Sequence, residues 1–103
     1  DGADIPFLAS LGAGDSYYSI NKFEEAVKAY EEALLFKIDE KEQKMWALYR
    51  LGEANLKLNK IESASKAFEK VNNEADDSNI LKALSQERLQ DIKGGRLWKT
   101  REM

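Results

Sequence analysis

The sequence contains no cysteine, no histidine and a single proline among its 103 residues. Without cysteine there is no disulfide and no thiolate nucleophile, and without histidine the commonest general base is missing. The two absences together also exclude zinc sites built from Cys and His ligands. Because no other nucleophile–base constellation stands in the sequence either, we expect a protein that is not an enzyme, with no metal and no cofactor.

The chain also lacks a strong charge of either sign and a long apolar run. Its formal net charge of −3 is too small to indicate affinity for nucleic acid or a membrane surface. No apolar segment approaches the length that spans a bilayer. The chain begins at Asp1 with no signal peptide pattern, so we expect an excised or processed piece of a longer protein.

Two stretches of the chain repeat one another. Residues 59–70 match residues 21–32 at a constant shift of 38, with Asn, Lys, Glu, Ala, Lys, Ala and Glu identical. Phe/Ile and Tyr/Phe exchange like for like at two further positions. Self-similarity at a period of about 20–50 residues is typical of repeat architectures.

Apolar residues that recur at helical spacing predict five helices, and no segment has a useful strand pattern. The fold class is therefore all-α. A charged fraction of 34% beside 43% apolar residues suits exposed amphipathic helices. The predicted helices are about 5–20, 22–36, 39–58, 60–72 and 79–93.

Polar residues mark the predicted helix ends. Asp39 with Glu42 is expected to cap the third helix, and Ser78 is the expected N-cap of the fifth. Asn21 and Asn59 each follow a helix at a turn that needs a left-handed residue, a conformation that asparagine accepts better than most residues.

The residues at equivalent positions of the two units resemble the tetratricopeptide repeat. From Gly14 and from Gly52, the next three signature positions follow after 12, 16 and 19 residues in both units. The resemblance implies a right-handed α-solenoid with two helix-turn-helix repeats, a C-terminal capping helix and a basic tail. The matching residues are Gly14, Tyr17, Ala26, Tyr30 and Ala33 in the first unit and Leu51, Gly52, Ala64 and Phe68 in the second. The implied boundaries are about 7–38, 40–76, 79–93 and 94–103.

The resemblance also implies where a partner binds, because in this family the first helix of each pair lines a concave groove. Trp, Tyr and Arg dominate binding hot spots, and the third helix carries all three. The shift of 38 exceeds the family's repeat of about 34 residues by four, and we expect this extra helical turn in residues 39–44. An alternative is therefore that Trp46 and Tyr49 only pack against the extra turn or against the lead-in at residues 1–4. The expected groove residues are Leu11, Asp15 and Tyr18 on the first helix and Trp46, Tyr49, Arg50, Glu53 and Lys57 on the third.

Other charged features carry weaker signals. A carboxylate clamp of the kind known in the family is not expected, because Leu11 and Asp15 stand where it requires Lys and Asn. The acidic pairs at 24–25, 31–32 and 76–77 are expected to be solvated, since neighbouring helix residues do not face each other. The basic tail with Trp98 either contacts RNA or lipid or folds back over the fifth helix.

The sequence thus predicts a scaffold that binds a protein or peptide partner in the groove, with no nucleic acid and no membrane insertion. The alternative is a structural or self-associating terminal segment of a longer solenoid, with a homodimer as one form. It rests on the rule that about three repeats are needed for stability, where two and a half are visible. The long repeats are similar to those of bacterial cell-envelope members of the family, which favours the periplasm or cell envelope over the cytoplasm.

Overall fold

The computed structural model describes residues 4–95, and these form five α-helices without a strand. The all-α fold class predicted from the sequence is confirmed. None of these five helices has the length and apolar character needed to cross a lipid bilayer. The helices are α1 Ile5–Ser19, α2 Phe23–Ala33, α3 Lys41–Lys57, α4 Ile61–Glu74 and α5 Ile80–Lys93.

Each helix packs against the next one in the chain, so that the helices form an extended array. The described part of the molecule measures 50 × 31 × 18 Å. In addition, α1 touches α3 and α3 touches α5, whereas α2 and α4 do not touch each other. The odd-numbered helices are therefore closer together than the even-numbered ones, and the array curves toward α1, α3 and α5.

The two turns inside the repeats have the same geometry. Asn21 has φ 64° and Asn59 has φ 62°, so the prediction of left-handed asparagines is confirmed. In each turn the N–H of the next lysine reaches back to a carbonyl of the preceding helix at 2.9 Å, from Lys22 to Tyr17 and from Lys60 to Asn55. These bonds satisfy carbonyl groups that the end of a helix would otherwise leave without a partner.

A glycine facing an aromatic ring sets the approach of the two helices in each repeat. A Cβ atom at Gly14 would lie 2.6 Å from the ring of Tyr30, and one at Gly52 would lie 2.6 Å from the ring of Phe68. Both rings are fully buried. Any side chain larger than hydrogen at these glycines would therefore collide with the core of its own repeat.

The fifth helix closes the array at the C-terminal end. Leu81 and Ile92 are buried in the same core cluster as Phe68, and Leu84 packs against that cluster. Ser85, in the position equivalent to the repeat glycines, is fully buried as well. The helix thus covers the apolar side of α4, as the resemblance implied for a capping helix.

The sequence-based helix starts were wrong at two places. The N-cap of α3 is Glu40, so Asp39 lies one residue before the cap and Glu42 is the second residue of the helix. A capping box needs its two residues at the N-cap and at the third helical position, so Asp39 and Glu42 do not form one. The N-cap of α5 is Asn79 rather than Ser78, because the Asn79 side chain accepts the N–H of Leu81 at 2.9 Å.

Helix ends also differ from the predictions. The second helix ends at Ala33, three residues before the predicted end, and residues 34–36 form a turn. The fourth helix continues to Glu74, two residues beyond its predicted end. The prediction for Trp98 and the basic tail falls outside the described residues.

Candidate binding face

The side of the array toward which it curves carries a continuous set of polar and aromatic side chains from three helices. We refer to this surface as the inner face. It lies where α3 touches α1 and α5, so its side chains meet across helices that are not neighbours in the sequence. Its members are Asp15, Tyr18, Trp46, Arg50, Glu53, Leu56, Lys57 and Arg88.

The guanidinium group of Arg50 is stacked between two aromatic rings. Its Cζ atom lies 4.9 Å from the centre of the Tyr18 ring and 4.8 Å from the centre of the Trp46 ring. Tyr18 is on α1 and Trp46 is on α3, so this cation–π arrangement joins the first helices of the two repeats. A cation held against aromatic faces in this way gains about 0.5–2 kcal/mol, and the gain is larger when water is excluded.

The Asp15 carboxylate collects donors from α2 and α3. The hydroxyl of Tyr30 donates to Oδ1 at 2.5 Å, the indole Nε1 of Trp46 donates to Oδ2 at 3.4 Å, and Nε of Arg50 lies 3.7 Å from Oδ1. Burial and the hydrogen bond to Asp15 raise the pKa of Tyr30, so the phenol keeps its proton and remains a donor. Asp15 therefore ties α1 to the core of its own repeat and to the next repeat.

Glu53 makes the equivalent connection from α3 to α5. Its carboxylate lies 3.1 Å from Nη2 of Arg88 and 3.7 Å from Nη1 of Arg50, and it accepts the hydroxyl of Tyr49 at 3.2 Å. Asp15, Arg50, Glu53 and Arg88 thus alternate in charge across the inner face. This alternation holds the three helices in a fixed arrangement and leaves the exposed edges of the side chains on the surface.

A cleft of about 340 Å³ opens at one end of the inner face. Its lining includes the half-buried apolar side chains of Leu56 and Ile61, which we call its floor, and the side chain of Tyr18, which we call its aromatic wall. Lys57 is exposed at its rim, and its ammonium group makes no ion pair with any other residue in the 4–95 range. The cleft can therefore accept an apolar side chain that has a negative group beside it.

Six of the eight residues predicted to line the groove lie together on the inner face. The other two do not. Leu11 is half buried and packs against two core clusters that join the first repeat to α3. The six are Asp15, Tyr18, Trp46, Arg50, Glu53 and Lys57.

The placement of Tyr49 on an open groove surface was wrong. The side chain is only 7% exposed, and its ring lies 5.6 Å from that of Phe68 in the core. The reason is that α3 packs against α2, α4 and α5, so it is covered on more than one side and a single apolar stripe underestimates its buried surface. Only the hydroxyl of Tyr49 reaches the inner face, where it donates to Glu53.

Sequence reasoning missed Arg88. It was not considered because α5 was interpreted only as a cap, although Arg88 is the one arginine of that helix. The sequence held a partial signal, because Arg88 carries the charge opposite to that of Glu53, but their pairing depends on which helices touch. Arg88 completes the inner face on the third helix that forms it.

In the described part of the chain, the acidic side chains do not gather into a metal site. Within residues 4–95 no group of three or more Asp or Glu side chains is placed to hold an ion. Lys41 pairs with Asp76 at 3.2 Å and Lys82 pairs with Asp77 at 2.7 Å, so two of the predicted solvated acids bind surface lysines. Such exposed pairs contribute little to stability.

Comparison with known families gives an independent view of the repeats. Two family models described as tetratricopeptide repeat match residues 9–37 and 46–78, which together make up more than half of the chain. Comparisons with curated proteins and with solved structures give no match. Repeats of this kind generally mediate protein–protein interaction. The chain belongs to the tetratricopeptide repeat family.

Proposed function

We propose that this protein is a non-enzymatic interaction scaffold that binds a segment of a partner protein on the inner face. The proposal is supported by the curvature of the array toward α1, α3 and α5, which makes this face the concave one. It is also supported by composition, because the face presents Tyr18, Trp46, Arg50 and Arg88, residue types that dominate binding hot spots.

The observation that carries the proposal is the cleft beside Tyr18. It combines an apolar floor, an aromatic wall and the Lys57 ammonium group, which has no ion-pair partner in the described chain. Its walls are held by the ion pair between Glu53 and Arg88, so binding needs little ordering of loose side chains. A site that is organised before its ligand arrives loses less entropy on binding.

The charges around the cleft indicate the chemistry of the partner. Lys57 and Arg88 are positive, and the single negative group in the lining, Glu53, already pairs with Arg88. This positive character is local, because the whole chain has a net charge of −3. The favoured partner is therefore a segment with an apolar side chain for the floor and an acidic residue for Lys57, since opposite charges steer and orient association.

A display selection with point variants tests the proposal. Peptides are selected on the intact protein from a random library, and the affinity of the best binder is measured for the wild type and for Lys57→Glu. We expect the Kd to rise about tenfold or more, which corresponds to about 1.4 kcal/mol. Lys57 is exposed and unpaired within residues 4–95, so the change removes no ion pair that holds the fold.

The matched control is Lys70→Glu on α4, which exchanges the same charges at an exposed helical position away from the inner face. It should leave the Kd unchanged. Equal affinities for wild type and Lys57→Glu would contradict binding at this cleft, and so would a loss for Lys70→Glu as large as that for Lys57→Glu. Selected sequences rich in Lys and Arg would contradict the proposed chemistry of the partner.

A further inference from the structure

The first helix is apolar on nearly all of its sides. Of the 15 residues in α1, only Asp15 is charged. A helix of this kind is normally buried all round, whereas a helix at the surface of a domain has one polar side. Here one side of α1 packs against α2 and α3, and nothing in residues 4–95 covers the opposite side.

We refer to that opposite side as the outer α1 face. Its large hydrophobic side chains are unusually exposed to solvent: Ile5 is 65% exposed, Leu8 45%, Tyr17 37% and Ile20 60%. The residues between them are small and also exposed, and a Cβ atom at Gly12 would meet nothing within 4 Å. The small residues are Ala9, Gly12, Ala13 and Ser16.

The opposite end of the array is different. From its second turn onward, the exposed positions of α5 are mostly polar, including Gln86, Glu87 and Gln90. A helix whose outer side faces water needs such polar residues on that side. The fifth helix meets this requirement and α1 does not, so the outer α1 face has the character of an interface.

We propose that the outer α1 face binds a second copy of this chain, with the two α1 helices antiparallel about a two-fold axis. The pattern of the face is symmetrical about the midpoint between Gly12 and Ala13. Three pairs of residues lie at equal distances along the sequence from that midpoint. They are Ile5 with Ile20, Leu8 with Tyr17 and Ala9 with Ser16. A two-fold axis at the midpoint therefore brings Ile5 to the level of the partner's Ile20.

The sizes of the side chains suit such a pairing. Small residues at the centre allow the two helix backbones to approach closely, and the large aliphatic residues then meet at both ends. An interface of this kind uses the same surface on both copies, which is the commonest arrangement in homodimers. A face with large side chains at both ends and small side chains in the middle therefore fits a second copy that runs in the opposite direction.

Charges on α2 give a second, independent reason for a copy of the same chain. Glu32 accepts a hydrogen bond from Ser10 at 2.9 Å, which places it on one side of the midpoint of α1. Lys28 lies about one turn earlier on α2, and because α2 runs antiparallel to α1, it stands on the other side of that midpoint. The two-fold axis consequently brings Lys28 of one copy toward the partner's Glu32.

Sedimentation equilibrium of the intact chain tests the proposal. We expect the mass to rise with concentration from one 11.7 kDa chain to two and no further. Ala13→Glu places like charges next to the axis and should keep the protein a monomer, with its helical circular dichroism unchanged. The control, Ala83→Glu at the exposed surface of α5, should still dimerise. A wild type that is monomeric at every concentration, or an Ala13→Glu variant that still dimerises, would overturn the proposal.

Because the chain has no cysteine, a single introduced cysteine can form a disulfide between chains only with the same cysteine of a second copy. A disulfide needs Cα atoms about 4.4–6.8 Å apart. Ala13→Cys stands beside the proposed axis and should form a disulfide-linked dimer under mild oxidation, whereas Ala83→Cys should not. A wild-type dimer in which Ala13→Cys does not cross-link would mean that another surface mediates association. Because this face is separate from the inner face, neither result bears on partner binding there.

Discussion

Replacing Gly52 with alanine tests the packing rule of the repeat. The added Cβ atom would lie 2.6, 2.7 and 2.9 Å from three atoms of the Phe68 ring. Carbon atoms in favourable contact are about 3.5–4.0 Å apart, so the ring and the helix must separate by roughly 1 Å. Phe68 has no exposed surface, and its ring is enclosed by a core that includes Tyr49 and Val71. The ring cannot swing into solvent to make room.

Two opposing effects set the size of the change. Overpacking of a filled core costs about 1–3 kcal/mol. Alanine is favoured over glycine inside a helix by about 0.8–1.0 kcal/mol. Because the ring at Gly52 is fully enclosed, the cost lies in the upper part of its range, and we expect Gly52→Ala to lower the free energy of unfolding by about 1–2 kcal/mol.

The assay is urea denaturation, with Gly12→Ala as the matched control. Gly12 is also in a helix, but a Cβ atom there meets nothing, so this variant should be more stable by about 0.8–1.0 kcal/mol at a protein concentration where the chain is monomeric. A Gly52→Ala variant as stable as Gly12→Ala would refute the packing argument. A double-mutant cycle with Phe68→Leu should show coupling, because the smaller side chain relieves the collision.

Three further outcomes are expected. Asn59→Gly should be neutral or slightly stabilising in urea denaturation and Asn59→Val should cost about 1 kcal/mol, because φ at this position is 62°; equal stabilities would contradict this reason. Asp15→Ala should cost about 1–3 kcal/mol by leaving the Tyr30 hydroxyl without its acceptor, and Tyr30→Phe in that background should recover part of the loss; no recovery would mean that the hydrogen bond is not the cause. A chain that ends at Asp77 should melt far lower or aggregate, whereas one that ends at Gly95 should change much less; a harmless first truncation would make α5 a linker rather than a cap.

The features that recur in the sequence were the ones that could be predicted. The shift between the two units placed Asn21 and Asn59 in equivalent turns, and a left-handed turn limits the choice of residue so strongly that its type is visible in the sequence. Gly14 and Gly52 recur at equivalent positions for the same reason, since only glycine fits beside a buried ring. Steric requirements of this kind restrict the residue type at a single position, so they can be recognised in the sequence.

Helix starts were less predictable because several polar residues compete for one cap. Asp39 and Glu40 are adjacent, as are Ser78 and Asn79, and the register of the packed helix decides which of them stands at its end. In α5 the choice follows from the bond between the Asn79 side chain and the N–H of Leu81.

The inner face was predictable on one helix at a time but not across helices. Trp46, Arg50 and Glu53 could be placed on one side of α3 from their spacing. The stacking of Arg50 on Tyr18 and the pairing of Glu53 with Arg88 depend on which helices touch. The spacing of residues within one helix does not give that information. Tyr49 was misplaced for the same reason, since α4 and α5 both pack against α3 and the Tyr49 ring lies against Phe68 of α4.

The most direct test of partner binding on the inner face is an ¹H–¹⁵N spectrum recorded while a selected peptide is added. The chain has two tryptophans, so the indole signal of Trp46 can be assigned by comparison with Trp98→Phe. That N–H donates to Asp15 within the inner face and reports on changes there. We expect the Trp46 indole and the amides of Tyr18 and Lys57 to shift with a common Kd, while exposed amides of α2 and α4 stay fixed. Shifts confined to α2 and α4, with the Trp46 indole unmoved, would contradict the proposed function.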